Sequence, residues 1–319
     1  MSLRLLALFP CFLFTFLHAQ EPPREPIPRP PGAPPRGPAG HARAGRPGPW
    51  ENDILVYRVA ADGTSERVAV FERAGVATLA RMADGQLIAA HQHFPADFGA
   101  DFDKVALRFS KDEGRTWTPP EVLRLAGLPE GMRFPFDPTL VPLPDGRVRL
   151  YFTSVKGRRL EEHRPAIYSA ISRDGVNYEF EPGQRFGIEG RLVIDCAVVL
   201  HDGVFHLYSP DNGPSGVHPD AQRPVDGVGY HATSANGLTF TRQADVRVEG
   251  RRRWLGNAQS DGKVITFYGT GAGVWTATST DGAEWQLDRA LKVHAADPGA
   301  VPARDGGIVL IGTGRTRDR

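Results

Sequence analysis

The sequence predicts an all-β fold, a five-bladed β-propeller that is closed by its own N-terminal strands. Three observations predict it: an Asp-Gly turn that recurs along the chain, a second turn in each unit, and a last unit that stops after two strands. Successive Asp-Gly turns are 61, 57, 59 and 44 residues apart and begin at Asp84, Asp145, Asp202, Asp261 and Asp305. A ring of six blades is the alternative.

The segments around each Asp-Gly turn have the pattern of a β-hairpin. A short apolar segment precedes the turn and a segment of alternating polarity follows it, as in residues 147–152, which is typical of a half-buried strand. The second turns begin at Asp112, Asp174, Asn236 and Asp281. Each unit therefore has four strands, and the 270 residues from Trp50 to Arg319 accommodate five units of about 54 residues.

The two ends of the propeller segment predict how the ring closes. The fifth unit has only two strands, at residues 299–301 and 308–312, whereas residues 54–60 and 67–71 read as a strand pair around the turn at Asp62. Pairing the N-terminal strands with the C-terminal ones completes the fifth blade. It also removes the exposed edges that an open ring would leave.

The first nineteen residues have the layout of a secretory signal. Arg4 precedes an apolar run at residues 5–17, and Ala19 offers a cleavage point. A lipoprotein signal that ends at Cys11 is the alternative. We expect a secreted or periplasmic protein.

Residues 20–49 are predicted to be a disordered linker between this signal and the propeller domain at residues 50–319. The segment contains eleven prolines and almost no large apolar residues, so it cannot bury enough surface to offset the entropy of ordering its chain.

Composition limits the partners of the domain. The formal net charge is +1 and the isoelectric point is about 7.9, which provides no basic field for nucleic acid. No stretch after the signal is long and apolar enough to span a membrane. Removal of the signal leaves Cys196 as the one remaining cysteine, so a large core must hold the domain together without an internal disulfide. We expect the protein to be a monomer.

The second turn of the first unit carries a specific motif. Residues 110–117, Ser-Lys-Asp-Glu-Gly-Arg-Thr-Trp, match the Asp box of sialidases, Ser-x-Asp-x-Gly-x-Thr-Trp, at every specified position. Shorter versions at residues 172–178, 234–240 and 279–285 resemble the outer hairpins of five-bladed arabinanase- and fructosidase-type glycosidases. The acidic or amide side chain accepts turn N–H groups, the glycine takes a positive φ, and the aromatic residue packs between blades. The motif therefore predicts fold rather than activity.

The resemblance implies a carbohydrate-active protein whose site lies on the face opposite these turns. Sialidases have six blades, an arginine triad that starts on the first inner strand, and a Tyr nucleophile with its Glu. In this chain Val76 stands about where that Arg would be. Residues 57–60, Tyr-Arg-Val-Ala, resemble the sialidase Arg motif but are predicted to lie on an outer strand. Arabinanase-type enzymes place a base Asp on blade 1 and an acid Glu on blade 3. In this chain blade 1 lacks that Asp, and only Glu189, in the loop before Asp195, could serve as the Glu.

Three inner strands are predicted to begin with an aspartate. Asp137, Asp195 and Asp297 come 8, 7 and 8 residues before their turn aspartates, so their carboxylates should converge at one depth in the central funnel. Asn257 could take a fourth position, although it comes only 4 residues before Asp261. Glycoside hydrolysis needs two carboxylates, and crowding them raises the pKa of one, which becomes the acid. The structural alternative is that these residues cap loop N–H groups.

Loops between the second and third strands of blades 1 to 3 should form a cleft above this funnel. His91 and His93 are alternate residues of a predicted strand and point to the same side of it, so both rings could face the funnel. With Asp97, Asp101 and Asp103 they could hold a divalent metal, but the spacing matches no specific signature and we expect no cofactor. Hydrogen bonding to substrate and a plain solvated loop are the alternatives. The candidate substrate-binding residues are His91, Gln92, His93, Arg133, Glu189, Asp211, His218 and Asn257.

The leading hypothesis is an exported glycoside hydrolase that acts on a carbohydrate with Asp137, Asp195 and Asp297 at its centre. The rival hypothesis is a non-catalytic propeller that binds a glycan or a protein through its rim loops. A deep pocket with two carboxylates about 5–9.5 Å apart favours hydrolysis, whereas a plugged channel favours binding. Arg133 could pair with a carboxylate substrate or with Asp137.

Overall fold

The computed structural model describes residues 48–157, 164–214 and 225–316. The signal prediction, nearly all of the linker prediction and His218 lie outside these residues. Within them, 22 strands form five sheets, which confirms the five-bladed β-propeller. None of the helices in these segments has the length and apolar character needed to cross a bilayer.

The chain enters the ring through blade 5 and then builds blades 1 and 2. A 3₁₀ turn at Pro49–Glu51 leads into β1 (Asp53–Val59) and β2 (Ser65–Phe71). From the centre outward, blade 1 contains β3 (Ala74–Arg81), β4 (Leu87–His93), β5 (Lys104–Ser110) and β6 (Glu121–Val122). Blade 2 contains an edge strand β7 (Arg124–Ala126) and then β8 (Phe136–Pro142), β9 (Val148–Ser154), β10 (Ala166–Ser172) and β11 (Asn177–Phe186).

Blades 3 and 4 continue the same antiparallel order. Blade 3 contains β12 (Ala197–His201), β13 (Val204–Pro210), β14 (Val228–Ser234), and two short outer strands, β15 (Thr241–Arg242) and β16 (Val246–Arg247). Blade 4 contains β17 (Arg253–Ser260), β18 (Ile265–Thr270), β19 (Val274–Ser279) and β20 (Gln286–Ala290).

Blade 5 joins the two ends of the described chain. Its inner strands are β21 (Ala296–Pro302) and β22 (Ile308–Gly314), and its order is β2-β1-β22-β21. Strand β1 pairs with β22 along its whole length, from Asp53 opposite Gly314 to Val59 opposite Ile308. The predicted closure by the N-terminal strands is therefore confirmed.

The core of the described ring lies between the blades. Each of its five apolar clusters is shared by two neighbouring blades, so a sheet buries both of its faces. Adjacent residues of one strand illustrate this: Phe152 packs against blade 1 and Tyr151 packs against blade 3. Because successive strand residues point to opposite faces, alternate large apolar side chains fill both interfaces.

The second turns of blades 2 and 4 each pack against the preceding blade through their glycine. Gly175 has a φ of 79°, and a Cβ there would lie 2.9 Å from Cδ1 of Ile88 on blade 1. Gly282 has a φ of 76°, and a Cβ there would lie 2.2 Å from Nδ1 of His206 on blade 3. Only glycine fits both the backbone and the space, which gives these turns a structural function.

Candidate active site

Bulges at the start of two inner strands carry Asp137 and Asp297, and Asp195 comes just before the inner strand of blade 3. In blade 2, Phe136 pairs with Thr153 and Thr139 pairs with Tyr151, so Asp137 and the proline after it form the bulge. Asp297 occupies the same place in blade 5. The φ angles of Asp137, Asp195 and Asp297 are 50°, 66° and 49°. Such bulges redirect a side chain and occur next to active sites.

Val76 shows that the fold does not require an acid at this position. It lies at the bulge near the start of β3, the inner strand of blade 1, with a φ of 45°, an unusual conformation for a β-branched residue. The backbone therefore takes this path whatever the side chain. In addition, no main-chain N–H of the described residues donates to the carboxylates of Asp137, Asp195 or Asp297, so the interpretation that they cap loop N–H groups lacks support.

The three carboxylates line one cavity of about 20 Å³, to which every blade contributes. That volume is enough for about one water molecule. Asp137 is 9% exposed, and Asp195 and Asp297 are partly buried. The strand starts around the cavity are Val76, Asp137, Asp195, Leu255 and Asp297, in the order of the blades.

Burial and mutual repulsion keep protons on this cluster. Burial, followed by the Asp297 carboxylate, raises the pKa of Asp137 to about 7, against the opposing effect of Arg133. Burial also raises the pKa of Asp195 well above its usual range, with contributions from Asp137 and Asp297. For Asp297, burial raises the pKa to about 6 against the effect of Arg253. Near neutral pH the cluster therefore holds both protonated and ionised carboxyl groups.

Two arginines stand beside the cluster. Arg133 packs over the ring of Phe136 at 4.4 Å and forms a salt bridge of 2.5 Å with Asp103. The predicted pairing of Arg133 with Asp137 is therefore wrong as a direct contact, because Asp103 holds the guanidinium. Arg253 donates to the amide oxygen of Asn212 at 2.5 Å and lies near enough to Asp195 and Asp297 to lower their pKa values.

The layer below the carboxylates is filled by side chains. Asn257 is buried and its amide donates to the hydroxyl of Thr78 on blade 1 at 3.1 Å. That hydroxyl also accepts the N–H of Leu140 on blade 2 at 3.2 Å. The expected fourth position for Asn257 is wrong, because the bulge of blade 4 places Leu255 at the cavity and Asn257 one layer deeper.

His91 does not face the funnel, which corrects the prediction for this residue. Its ring is fully buried and lies 5.5 Å from the ring of Phe71. It forms a hydrogen bond between Nδ1 and the main-chain oxygen of Gln92. Burial lowers the pKa of His91 to about 3, and burial also lowers the pKa of His93. No group of three or more metal-type side chains is placed to hold a metal among the described residues.

Gln92 supports the rim from the same strand. Its side-chain amide donates to Oδ1 of Asp103 at 2.6 Å, and the other oxygen of that carboxylate accepts Arg133. Gln92 and Arg133 thus share one acid at the edge of the site, close to Asp137.

Two further candidates lie on the blade 3 side of the rim. Asp211 forms a salt bridge with Arg191 and accepts the N–H of Gly213 at 2.8 Å. Glu189 is 85% exposed and forms a salt bridge of 3.2 Å with Arg164. Glu189 is not among the residues that line the carboxylate cavity. The predicted cleft above the cavity falls partly on residues 158–163 and 215–224, outside the described residues.

Sequence reasoning missed three threonines that bind the strand starts. Thr153, Thr270 and Thr313 lie near the ends of the second strands, and their hydroxyls accept the N–H groups of Asp195, Asp297 and Val76. The signal is present in the sequence: Thr153 follows the turn residue Asp145 by as many positions as Asp137 precedes it, and a hairpin brings such residues together.

Comparison with known proteins shows the fold class. No family model matches the chain, and no curated protein matches it. A β-xylosidase structure superimposes with a TM-score of 0.55 and 12% identity, covering 75% of this chain and 91% of that chain. An α-L-arabinanase from Penicillium chrysogenum, complexed with arabinobiose, superimposes with a TM-score of 0.53 and 14% identity. The match covers 85% of this chain and 88% of that chain. An N-acetylgalactosamine deacetylase from F. plautii, in complex with blood group B trisaccharide, superimposes with a TM-score of 0.54 and 14% identity. The match covers 82% of this chain and 85% of that chain.

The chain is thus a five-bladed β-propeller whose fold is similar to that of arabinanase-type propellers, as the resemblance predicted. At this identity the similarity concerns the fold. The site has to be interpreted from its own residues.

Proposed function

We propose that this protein is an exported, carbohydrate-active enzyme that hydrolyses glycosidic bonds with Asp137 and Asp195. The observation that carries the proposal is the convergence of three partly protonated carboxyl groups on one cavity at the centre of the ring. Blades 2 and 3 are neighbours that each have an inner-strand acid at this cavity, and the sequence gives each of them a long segment between its second and third strands.

The two carboxyl groups have different environments, which supports different roles. Asp195 is flanked by the carboxylates of Asp137 and Asp297, which disfavour its ionisation more than the Arg253 guanidinium favours it. For Asp137, the Arg133 guanidinium favours the ionised form and opposes the Asp297 carboxylate. Asp195 is therefore the acid that gives its proton to the glycosidic oxygen. Asp137 is the carboxylate that takes a proton from water as the water attacks, or that attacks the anomeric carbon itself.

Asp297 tunes this pair without contacting the reacting bond. Its charge raises the pKa of both Asp137 and Asp195. This arrangement differs from the arabinanase pattern, because Val76 replaces the blade 1 acid and the pair moves to blades 2 and 3. The difference predicts a glycosidic substrate bound off-centre, toward blades 2 and 3.

The test is turnover by the full chain and by Asn variants on a panel of chromogenic glycosides and polysaccharides. Asp137→Asn and Asp195→Asn should each reduce turnover by at least about 10²-fold, the lower range for lost acid–base catalysis. Asp145→Asn is the matched control, because this exposed turn aspartate bonds to Arg147, does not line the carboxylate cavity and should leave turnover unchanged. Wild-type turnover in both site variants would eliminate this pair.

A non-catalytic glycan-binding propeller is the second candidate. Two observations favour it: the cavity at the carboxylates is small, and the buried side chains of Asn257 and Thr78, joined by a hydrogen bond, occupy the centre of the ring beneath that cavity. Glycan binding by the wild-type protein with no turnover on any substrate of the panel would support this candidate and contradict hydrolysis.

A further inference from the structure

Arg253 lies at the start of β17, the inner strand of blade 4, close to the carboxylate cavity. Leu255, on the same strand, lines that cavity. Arg253 stands directly opposite Thr270 of β18, and the Thr270 hydroxyl accepts the main-chain N–H of Asp297 at 2.9 Å. The backbone therefore places Arg253 at the mouth of the funnel, next to the start of the inner strand of blade 5.

The guanidinium of Arg253 is held toward blade 3 by Asn212. The amide nitrogen of Asn212 donates to the main-chain oxygen of Ile194 at 2.7 Å. This bond orients the amide, and its oxygen accepts Nη2 of Arg253 at 2.5 Å. Because Ile194 directly precedes Asp195, the guanidinium is fixed on the side of the cavity where Asp195 lies. Arg253 thus stands between Asp195 of blade 3 and Asp297 of blade 5.

Most of the hydrogen-bonding capacity of Arg253 is unused. A guanidinium carries five N–H donors, and within the described residues only those on Nη2 have an acceptor. The residue is exposed, so the other donors are open to a ligand. A guanidinium that is held in place with free donors is suited to bind a carboxylate or a similar oxyanion through two parallel hydrogen bonds.

Arg253 differs from two other cations of the rim because it lacks a carboxylate partner. Arg133 forms a salt bridge with Asp103, and Arg191 forms one with Asp211. In the part of the chain that the structure describes, no carboxylate lies within salt-bridge distance of Arg253, whose hydrogen bond goes to a neutral amide. The positive charge of Arg253 is therefore available to a ligand.

Two further arginines add positive charge to the same flank of the mouth. The chain enters β17 through Arg251 and Arg252, and neither of them forms a salt bridge with a described residue. A Cβ on Gly271 would lie 3.7 Å from the main-chain oxygen of Arg251, so this segment runs beside the loop between β18 and β19. That loop consists of residues 271–273 only. It is too short to fold over the arginines, which leaves them open to solvent.

The acids at the centre compensate this charge only in part. Burial raises the pKa of Asp195 well above its usual range, so Asp195 keeps its proton near neutral pH. Burial raises the pKa of Asp297 to about 6, so Asp297 is largely ionised at that pH. One carboxylate thus stands against three consecutive arginines, and the blade 4 flank of the mouth is positive.

We infer that Arg253 is a substrate-binding residue that receives an anionic substituent, a carboxylate or a sulfate ester, on the sugar bound at Asp195 and Asp297. The substrate class is then an acidic glycan rather than a neutral one. The inference rests on the proposed function for the identity of the ligand as a glycan. The preference for an anion follows from Arg253 and its surroundings, so binding tests it separately from turnover.

The experiment is an equilibrium titration of the full chain with matched pairs of oligosaccharides. One arm uses uronate oligomers and their methyl esters, and the other uses sulfated oligomers and their desulfated forms, so the members of a pair differ in charge but not in linkage. Arg253→Gln removes the charge and keeps a donor for Asn212. Arg247→Gln is the matched control, because Arg247 is an exposed arginine on the outer strand β16 and does not line the carboxylate cavity.

In the wild type, the acidic member of at least one pair should bind about 10- to 100-fold more tightly than its neutral partner, as expected for hydrogen bonds between charged groups. Added salt should lower this ratio, because it screens an exposed charge. Arg253→Gln should bring the ratio close to one, and Arg247→Gln should retain it. Arg253→Lys keeps the charge without the forked donors and should retain part of it. The arm that shows the preference identifies the substituent.

Three outcomes would overturn the inference: no binding of any acidic member, equal affinity for both members of every pair, or a ratio that survives in Arg253→Gln. Turnover of the same pairs separates the inference from the proposed function. Binding that favours acidic members without hydrolysis of any pair would retain the role of Arg253 and reject glycoside hydrolysis. Hydrolysis confined to neutral members would retain the pair of Asp137 and Asp195 and reject an acidic substrate.

Discussion

The hydroxyl of Tyr151, on blade 2, donates a 2.8 Å hydrogen bond to the main-chain oxygen of Gly237, the turn glycine of blade 3. Tyr208 makes the same contact one blade further on, to Gly282 at 2.9 Å. Both side chains are buried. The blades are therefore joined at their turn ends by polar contacts in addition to the apolar clusters between them.

We expect Tyr151→Phe to destabilise the propeller by about 1–3 kcal/mol, because it leaves the buried Gly237 carbonyl without this donor. Tyr178→Phe is the matched control, since the buried Tyr178 hydroxyl has no hydrogen-bond partner among the described residues. That substitution should leave stability unchanged or raise it. Chemical denaturation measures both variants, and an equal loss in the two would contradict the role of the Tyr151 hydroxyl.

The turn aspartate of blade 1 should contribute to stability and not to activity. Asp112 accepts the N–H of Thr116 at 2.9 Å, the hydroxyl of Thr116 at 2.6 Å, and the hydroxyl of Ser110 at 2.9 Å. Asp112→Ala should therefore cost about 1–2 kcal/mol, as for a lost capping acceptor. Loss of turnover or glycan binding with unchanged stability would contradict this assignment.

The pH dependence of this loss has a defined sign. Burial acts to raise the pKa of Asp112, but the hydrogen bonds from Thr116 and Ser110 outweigh it and lower the pKa to about 2. A carboxylate with a lowered pKa in the folded state stabilises the protein above its unfolded pKa, near 4, and loses that effect as the pH falls toward 2. The difference in unfolding free energy between wild type and Asp112→Ala should shrink over that range.

The sequence predicted the ring better than the site, for physical reasons. Turn residues such as Asp145 and Gly146 have local chemistry that is visible in the sequence, and their spacing predicts the blades. The places of Asp137, Asp195 and Asp297 follow from the same spacing. In blade 4 the turn aspartate Asp261 directly follows the last residue of β17, whereas Asp145 comes three residues after the end of β8, so counting back from the turn places Asn257 one layer too close to the cavity.

Side-chain direction was the less predictable part. His91 and His93 alternate as the pattern requires, but the strand period cannot tell which face meets the next blade, and the His91 ring packs on Phe71 of blade 5. The partner of Arg133 is equally non-local, since Asp103 lies 30 residues away in the chain. Such pairings depend on how neighbouring blades meet, which no local pattern encodes.

Removal of the first 63 residues should unfold the domain. The deletion removes β1, which pairs with β22 over seven residue pairs, and leaves the apolar clusters on both sides of blade 5 incomplete. Deletion of residues 20–48 is the control and should leave the melting temperature unchanged. A chain that lacks residues 1–63 and melts like the full domain would contradict closure by the N-terminal strands.

The carboxyl cluster should make the protein less stable as the pH rises from about 4 to about 7. Burial raises the pKa of Asp137 to about 7 and that of Asp297 to about 6, so the folded protein holds protons that the unfolded chain releases above about pH 4. The folded state then binds more protons than the unfolded state over this range, and the free energy of unfolding falls with pH until the carboxyl groups are ionised in both states.

Asp137→Asn removes one of these ionisations while keeping the shape of the side chain. We therefore expect the variant to match wild type in melting temperature near pH 4 and to melt at a higher temperature at pH 8. Asp145→Asn should behave in the opposite way, because its hydrogen bonds with Arg147 lower the pKa of Asp145 and stabilise the folded state at neutral pH. If Asp137→Asn melts at or below the wild-type temperature at pH 8, the carboxyl groups do not repel one another in the folded protein, and the basis for assigning them acid and base roles is lost.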